Sequence, residues 1–349
     1  MASYMQSSTN NDGEIPNEFE LIARLSELES AKNIAENVDV ANTILTGIGD
    51  DAAVVSTPAS QMLLTTDAIV DGVHFRSVDE RWFDIGWKCA VSNLSDIAAM
   101  GGVPDYALVT LGVPPGASVN TYADFYDGMN AAFSEFGGSI VGGDVVSSPT
   151  MFVNIALTGH PSTDSHGEPM TMRRTEAQAG DLVCVTGPLG SSAGGFEALV
   201  SGETNPSSNI LIERHYHPTP RIEIGSKLVA TGVRCAMDVS DGLVGDLEKI
   251  AKSSGVNITI EMTNIPLANE LIFMFGSGAI ELALSGGEDY ELVFTASKPL
   301  VDDLVANNMG LTVIGNVDSS ESPGGQVKII DVNGELYEPV RKGWDHLNV

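Results

Sequence analysis

The chain has 349 residues, of which 43% are hydrophobic, 18% charged and 6% aromatic, enough at roughly 150 residues per domain for about two separately cored domains. Acidic residues outnumber basic ones 47 to 17, a formal charge of −30, and such a surface repels a phosphate backbone, which argues against nucleic-acid partners. The longest apolar stretches, residues 106–115 and 151–158, fall short of the ~20 residues that a membrane-spanning helix needs.

Residues 1–16 are rich in Ser, Asn and Thr and lack periodic apolar positions, which predicts a flexible tail. The start is polar and acidic, unlike a signal peptide. Phe19, Ile22, Leu25 and Leu28 then mark an amphipathic helix. Short strands are expected at Ala53–Ser56 and Met62–Thr66, around a turn at Pro58, and a helix over Trp82–Met100, stopped by Gly101, Gly102 and Pro104. A strand at Ala107–Val113, a helix at Tyr122–Phe136, and strands at Ser139–Val141 and Met151–Thr158 complete the first half. The polar tract His160–Pro169 is the expected domain boundary. Beyond it, strands are expected at Asp181–Thr186, Cys235–Val239, Ile258–Glu261, Glu291–Thr295, Leu311–Ile314 and Val327–Ile330. Helices are expected near Ser192–Val200, Arg221–Ala230 and Leu243–Lys252, and a hairpin turn at Asn333-Gly334. The fold class is therefore α/β (α+β) in two domains, residues 17–160 and 161–349. Cys89, Cys184 and Cys235 are far apart, without zinc or redox spacing, as expected of reduced thiols in a cytoplasmic protein.

Gly47-Ile48-Gly49-Asp50-Asp51-Ala52 fits the dinucleotide pattern G-x-G-x-x-A only formally. A strand, not a helix, is expected to follow it, and two adjacent carboxylates would repel pyrophosphate. P-loop, protein-kinase and calcium-loop patterns are absent from the sequence. What stands out is a set of carboxylate-bearing loops: Gly49-Asp50-Asp51, Thr65-Thr66-Asp67, Asn93-Leu94-Ser95-Asp96, Gly142-Gly143-Asp144, Asp238-Val239-Ser240-Asp241-Gly242 and Ser285-Gly286-Gly287-Glu288-Asp289-Tyr290. Each alone is an ordinary turn. Asp96 is the exception, since it falls within a predicted helix, with Ser92 and Asn93 on its face. Six such segments in one chain suggest converging carboxylates, which need hard cations such as Mg²⁺. A polyphosphate binds so acidic a chain only with cations between the two sets of charges.

In order, GIGDDAAVV, TTDAIVDGVHF, NLSDIAAMG, GGD, MRRTEAQAGD, VTGPLG, DVSDGL, SGGEDYEL and RKGWDH closely resemble the thiamine-monophosphate kinase family, from about residue 17 to the end. That family belongs with the aminoimidazole ribonucleotide and selenophosphate synthetases. The resemblance implies a homodimer built through N-terminal mixed sheets, a C-terminal α/β sandwich domain, and ATP with several Mg²⁺ ions in the cleft. It implies metal ligands at Asp51, Thr65, Thr66, Asp67, Asp96, Asp144, Asp238 and Asp241. ATP contacts are implied at Gly143, Asp144, Arg174 and Ser240, and contacts to thiamine monophosphate at His74, Glu288 and Trp344, with Glu288 adding negative charge opposite the thiazolium. The implied reaction is direct phosphoryl transfer to thiamine monophosphate without a dedicated general base. Other readings are another ATP-using synthetase of the superfamily, or a non-catalytic acidic cation-binding module. Selenophosphate synthesis fits poorly, because the first cysteine, Cys89, lies inside a predicted helix.

Overall fold

The computed structural model describes residues 44–46, 50–56, 61–79, 81–115, 119–307, 309–320 and 325–344. The expected tail, the helix around Phe19–Leu28, Gly47-Ile48-Gly49, Pro58 and the Asp345-His346 end of the last motif lie outside these residues. Strands β1 (Ile44–Thr46), β2 (Ala53–Ser56) and β3 (Gln61–Val70) lead to helix α1 (Trp82–Ala99), β4 (Gly102–Val113), α2 (Val119–Phe136), β5 (Ser139–Ser147), β6 (Phe152–Thr163) and the short β7 (Pro169–Met170). These strands form one mixed sheet in the order β1-β2-β3-β6-β4-β5, with β7 beside β6. β6 runs to Thr163, past the boundary expected at residue 160. The polar turn itself is confined to residues 164–168, where Asp164 N–H bonds the Glu168 carbonyl.

The second sheet follows from β8 (Leu182–Val185), α3 (Ser191–Ser201), α4 (Pro206–Tyr216), α5 (Ile222–Thr231), β9 (Cys235–Asp238), α6 (Leu243–Ser254), β10 (Val256–Glu261), α7 (Asn269–Phe275), α8 (Ala279–Ser285), β11 (Leu292–Ala296), α9 (Lys298–Ala306), β12 (Thr312–Ser319), β13 (Val327–Ile330) and β14 (Leu336–Tyr337). Its order is β14-β13-β10-β12-β8-β11-β9. The expected strands and longer helices are all present, and Asn333-Gly334 turns the β13–β14 hairpin. Helices α4, α7, α8 and α9 were not expected. α4 carries a readable start, because Asn205 and Ser208 bond each other's backbone N–H in a capping box ahead of Pro206.

Two corrections concern the carboxylate segments. Thr65 and Thr66 lie in β3 as expected, but the strand runs on through Asp67 to Val70, and Gly142-Gly143-Asp144 is the middle of β5; neither carboxylate segment is a loop. Pairing of β3 with β6 and of β5 with β4 carries each strand past its apolar stretch. Alternation along β3 then sends Thr65 and Asp67 to one face and Thr66 to the other. The Thr66 hydroxyl donates to Asn154 Oδ1 at 3.2 Å on that other face.

Helices α1 and α2 cover the inner face of the first sheet, where Leu63, Val109, Leu111, Ile155 and Leu157 pack with Leu94, Phe125 and Met129. The second sheet is covered on both faces. Val183, Val185 and Ile258 pack under α6, while Cys184, Ala236 and Phe294 meet α5 and α9. α1 serves both sheets, since its last turn (Ala98, Ala99) packs with α5 residues Leu228 and Val229. That shared helix carries Asp96 to β9.

Close helix contacts make this possible. A Cβ on Gly86 would lie 2.0 Å from the Phe125 carbonyl oxygen, and one on Gly128 would lie 1.9 Å from that of Phe83, so α1 and α2 touch backbone to backbone. Gly128→Ala is expected to lower stability by about 1–3 kcal/mol or more through overpacking, read as a lower urea midpoint. An unchanged midpoint would show that the helices can part freely.

Candidate active site

The site is assembled from the ends of separate elements. Asp51 precedes β2, Asp96 lies in the last turn of α1, and Asp238 closes β9. One carboxylate oxygen from each lies within 4.8 Å of the others. At that spacing each like-charged pair repels by about 3–4 kcal/mol at an effective dielectric constant near 20. This exceeds the ~1 kcal/mol net worth of a typical hydrogen bond, so local hydrogen bonding alone does not hold three ionised groups together. Asp238 is 1% exposed. Burial, with Asp67, Asp238 and Asp51 nearby, pushes the Asp96 carboxyl well above its ordinary range. Burial and then Asp51 do the same to Asp238.

Polar groups fix the cluster's orientation. The Thr65 hydroxyl donates to Asp96 Oδ2 at 2.5 Å, and the Ser95 hydroxyl donates to Asp238 Oδ2 at 2.6 Å. Arg174 Nη2 donates to Asp51 Oδ1 at 2.6 Å, and its backbone N–H donates to Asp50 Oδ2 at 3.3 Å. Burial works against the guanidinium charge, but Asp51 and Asp50 raise its pKa above the ordinary value. Asp50 is pushed up to about 7, by burial first and then by Asp51. One guanidinium for these carboxylates leaves an all-oxygen, negatively charged set that suits a hard divalent cation.

The other expected residues are placed as follows. Asp67 borders the trio, its backbone N–H donating to Asn93 Oδ1 at 3.1 Å. Thr66 faces away, as described. Asp241 is held by Lys249 Nζ at 2.5 Å and is not one of the trio. The Ser240 hydroxyl contacts Asp238 Oδ1 at 3.5 Å. Gly143 and Asp144 sit on β5. β6 and β4 separate that strand from β3, about 14 Å at the usual spacing between strands. Within one chain the structure does not bring Asp144 to the trio. His74 follows β3 in a tight turn, with Nδ1 accepting the Val70 N–H. The Trp344 backbone N–H donates to the Asp241 carbonyl at 2.9 Å, and the residue is 37% exposed.

Glu288 departs from the expected picture of a negative charge facing a cationic ring. Lys88 Nζ donates to its Oε2 at 2.8 Å, so the charge is already compensated. The Glu288 backbone N–H bonds the Ser240 carbonyl, joining its loop to the Asp238–Gly242 loop.

Sequence reasoning missed Lys88 and Asp246. Asp246, buried in the first turn of α6, accepts the backbone N–H groups of Ser240, Asp241 and Gly242 on Oδ2 at 3.1, 3.2 and 3.1 Å. Lys249 bonds its other oxygen at 2.9 Å. Asp246 shapes the loop after β9; its only sequence signal is an acidic residue in a helix's first turn.

A carboxyl whose pKa rises on folding adds stability below its unfolded value, near 3.8 for Asp238, and that stability is lost as pH rises through its folded value. In divalent-free buffer at about pH 8, Asp238→Asn is therefore expected to be at least as thermostable as the parent. The difference should narrow toward about pH 4, where the parent's Asp96 and Asp238 are protonated. Thermal unfolding in EDTA across this range checks it; a variant clearly less stable at pH 8 would mean that the cluster is not repulsive.

Comparison with known proteins gives the family. Residues 49–160 match the family AIR synthase related protein, N-terminal domain, and residues 178–328 its C-terminal domain. Thiamine-monophosphate kinase from Aquifex aeolicus is 37% identical over 310 residues, covering 86% of this chain and 92% of its own length. That from Bacillus subtilis is 35% identical over 312 residues, with 86% and 93% covered. The solved structure of AaThiL complexed with AMPPCP and TMP is 34% identical, covers 97% of this chain and 100% of its own, and superposes with a TM-score of 0.81. The chain belongs to the thiamine-monophosphate kinase family, within the AIR synthase related proteins.

Proposed function

We propose that this enzyme transfers the γ-phosphoryl group of ATP to the phosphate of thiamine monophosphate, giving ADP and thiamine diphosphate. The observation that carries the reading is the meeting of Asp51, Asp96 and Asp238, in a family whose solved neighbour is complexed with AMPPCP and TMP. An oxygen of the acceptor phosphate forms the new bond to the γ-phosphorus in line, while the bond from that phosphorus to the β,γ-bridging oxygen breaks. The attacking oxygen has a second pKa near ~6 and is mostly unprotonated at neutral pH, so no side chain has to remove a proton. The obstacle is repulsion between two polyanions. Asp51, Asp96 and Asp238 would hold Mg²⁺, which would supply the charge neutralisation that such a transfer needs.

The chain's own residues do the positioning. Asp51, Asp96 and Asp238 hold the cation set, with Thr65 and Asp67 beside them on the same face of β3. We read Arg174, on the segment between the two sheets, and Ser240, on the loop after β9, as contacts to the nucleotide, and Asp241 of that loop as a further cation ligand. His74, Glu288 and Trp344 are read as the acceptor pocket.

We further read the working unit as a homodimer. Leu64, Tyr106 and Leu108 lie exposed on the outer face of the first sheet, a grouping that monomeric proteins rarely leave in water. Asp144 shares that face through its register with Thr110, so a second copy docked there would lie against Asp144. Among the described residues no helix is long and apolar enough to cross a membrane. The buried free thiols Cys89, Cys184 and Cys235 suit a cytoplasmic location.

ADP release is expected to require thiamine monophosphate and a divalent cation together. Asp96→Asn is expected to cut turnover by about 100-fold or more, since it removes one of the three oxygen donors. Near-normal turnover of that variant, or ADP release independent of thiamine monophosphate, would overturn the reading. Trp344→Ala is expected to raise KM for thiamine monophosphate more than KM for ATP in the same assay. Equal changes would place Trp344 outside the pocket.

A further inference from the structure

Lys88 is a charge where the fold least accommodates one. It lies in the buried middle of α1, is 8% exposed, and is surrounded along the helix by Ile85, Val91 and Leu94. Its ammonium reaches across from the helix over the first sheet to a loop of the second, with Nζ 2.8 Å from Glu288 Oε2 and 3.5 Å from His215 Nε2. Behind it, His215 Nδ1 lies 3.0 Å from the Ser192 hydroxyl, and burial followed by Lys88 drives the imidazole pKa down to about 3. His215 is therefore neutral at physiological pH, and among the described residues Glu288 is the one carboxylate in salt-bridge contact with Lys88.

The other side of the pair is equally constrained. Glu288 has φ +55°, in the left-handed region that a non-glycine residue adopts at some cost. The loop is held there by the Glu288 and Tyr290 N–H groups bonding the Ser240 and Val239 carbonyls. The Glu288 side chain remains 35% exposed. Its Oε2 is tethered, and among the described residues its Oε1 has no hydrogen-bond partner. A surface ion pair contributes little, and a pair kept only for stability is often replaceable by apolar side chains of similar size. Here a buried lysine, a strained backbone and one untethered carboxylate oxygen coincide in a segment bonded to the loop after β9.

We propose that Lys88 is a positioning residue for the acceptor substrate: it pins Oε2 of Glu288 and cancels the charge, so that Oε1 is presented as a fixed acceptor for an N–H group. The pocket then selects by hydrogen bonding to a nitrogen-bearing ring, and not by bare attraction of a cation. This rests on the reading of Glu288 as a contact to thiamine monophosphate.

The test uses the full chain with Lys88→Met, Glu288→Gln and the two combined. KM for thiamine monophosphate and for ATP, kcat and the thermal midpoint are measured for each. Lys88→Met is expected to raise KM for thiamine monophosphate about tenfold with KM for ATP within about twofold of the parent. The double variant carries no unpaired charge and is expected to recover the thermal midpoint lost by Lys88→Met, with a KM for thiamine monophosphate equal to that of Glu288→Gln alone, because Lys88 acts only through Glu288. A merely structural role would instead move both KM values in parallel in Lys88→Met, or add its KM effect in full to that of Glu288→Gln; either overturns the proposal. An unchanged KM for thiamine monophosphate in Lys88→Met overturns it too. If the parent itself fails to turn over thiamine monophosphate, the reading of the acceptor fails first and is seen before any variant is compared.

Discussion

The constraint on which the site depends is negative charge gathered where water cannot dilute it. Asp51, Asp96 and Asp238 come from the residues just before an inner strand of one sheet, from the helix shared by both sheets and from the edge strand of the other. The proximity of their oxygens therefore records how the two sheets are joined. The packing of Ala98 and Ala99 against Leu228 and Val229 is an apolar contact, and its effect is electrostatic: it sets the distance between Asp96 and β9. Hydrophobic burial contributes roughly 25 cal/mol per Å², and part of that gain offsets the repulsion among the carboxylates.

A second layer of polar contacts turns this clustering into a defined shape. Thr65 and Ser95 each orient one carboxylate, and Asp246 gathers three backbone N–H groups of the loop after β9. That loop in turn receives the Glu288 and Trp344 N–H groups on its carbonyls. The proposed acceptor pocket and the carboxylate trio thus share one backbone segment, residues 239–242, which couples their positions without any side chain spanning the gap.

Much of this was legible in the sequence where local periodicity decides structure. The strands β2, β4, β6 and β13 and the helices α1, α2, α5 and α6 follow from their apolar patterns. Converging carboxylates were expected from the acidic motifs, and Asp51, Asp96 and Asp238 are three of the eight residues that the family resemblance implied as metal ligands. The errors have a common cause. Gly142-Gly143-Asp144 has turn-like composition, and the strand expected at Met62–Thr66 stopped short of Asp67; the ladders with β4 and β6 carry both strands on. Tertiary pairing overrode propensity there. The face on which each side chain then falls, and hence the separation of Thr66 and Asp144 from the trio, depends on register that no single segment encodes. Asp246 and Lys88 were hidden for the opposite reason: each is one ordinary charged residue in a helix, and its importance comes from partners distant in sequence or from loop N–H groups whose geometry sequence does not reveal. Lys88 lies 200 residues from Glu288.

Arg174 shows what such an arrangement implies for ligand exchange. With its guanidinium on Asp51 and its peptide N–H on Asp50, it is an internal counter-ion for the carboxylates that a metal would bind. On the proposed reading, a cation arriving at Asp51 would compete with that guanidinium, and an arginine displaced from its carboxylates would be free to reach an incoming polyanion. Occupancy by metal and by nucleotide would then be thermodynamically linked through a single side chain, each favouring the other by the same factor, and the resting protein would be partly self-inhibited by its own salt bridge.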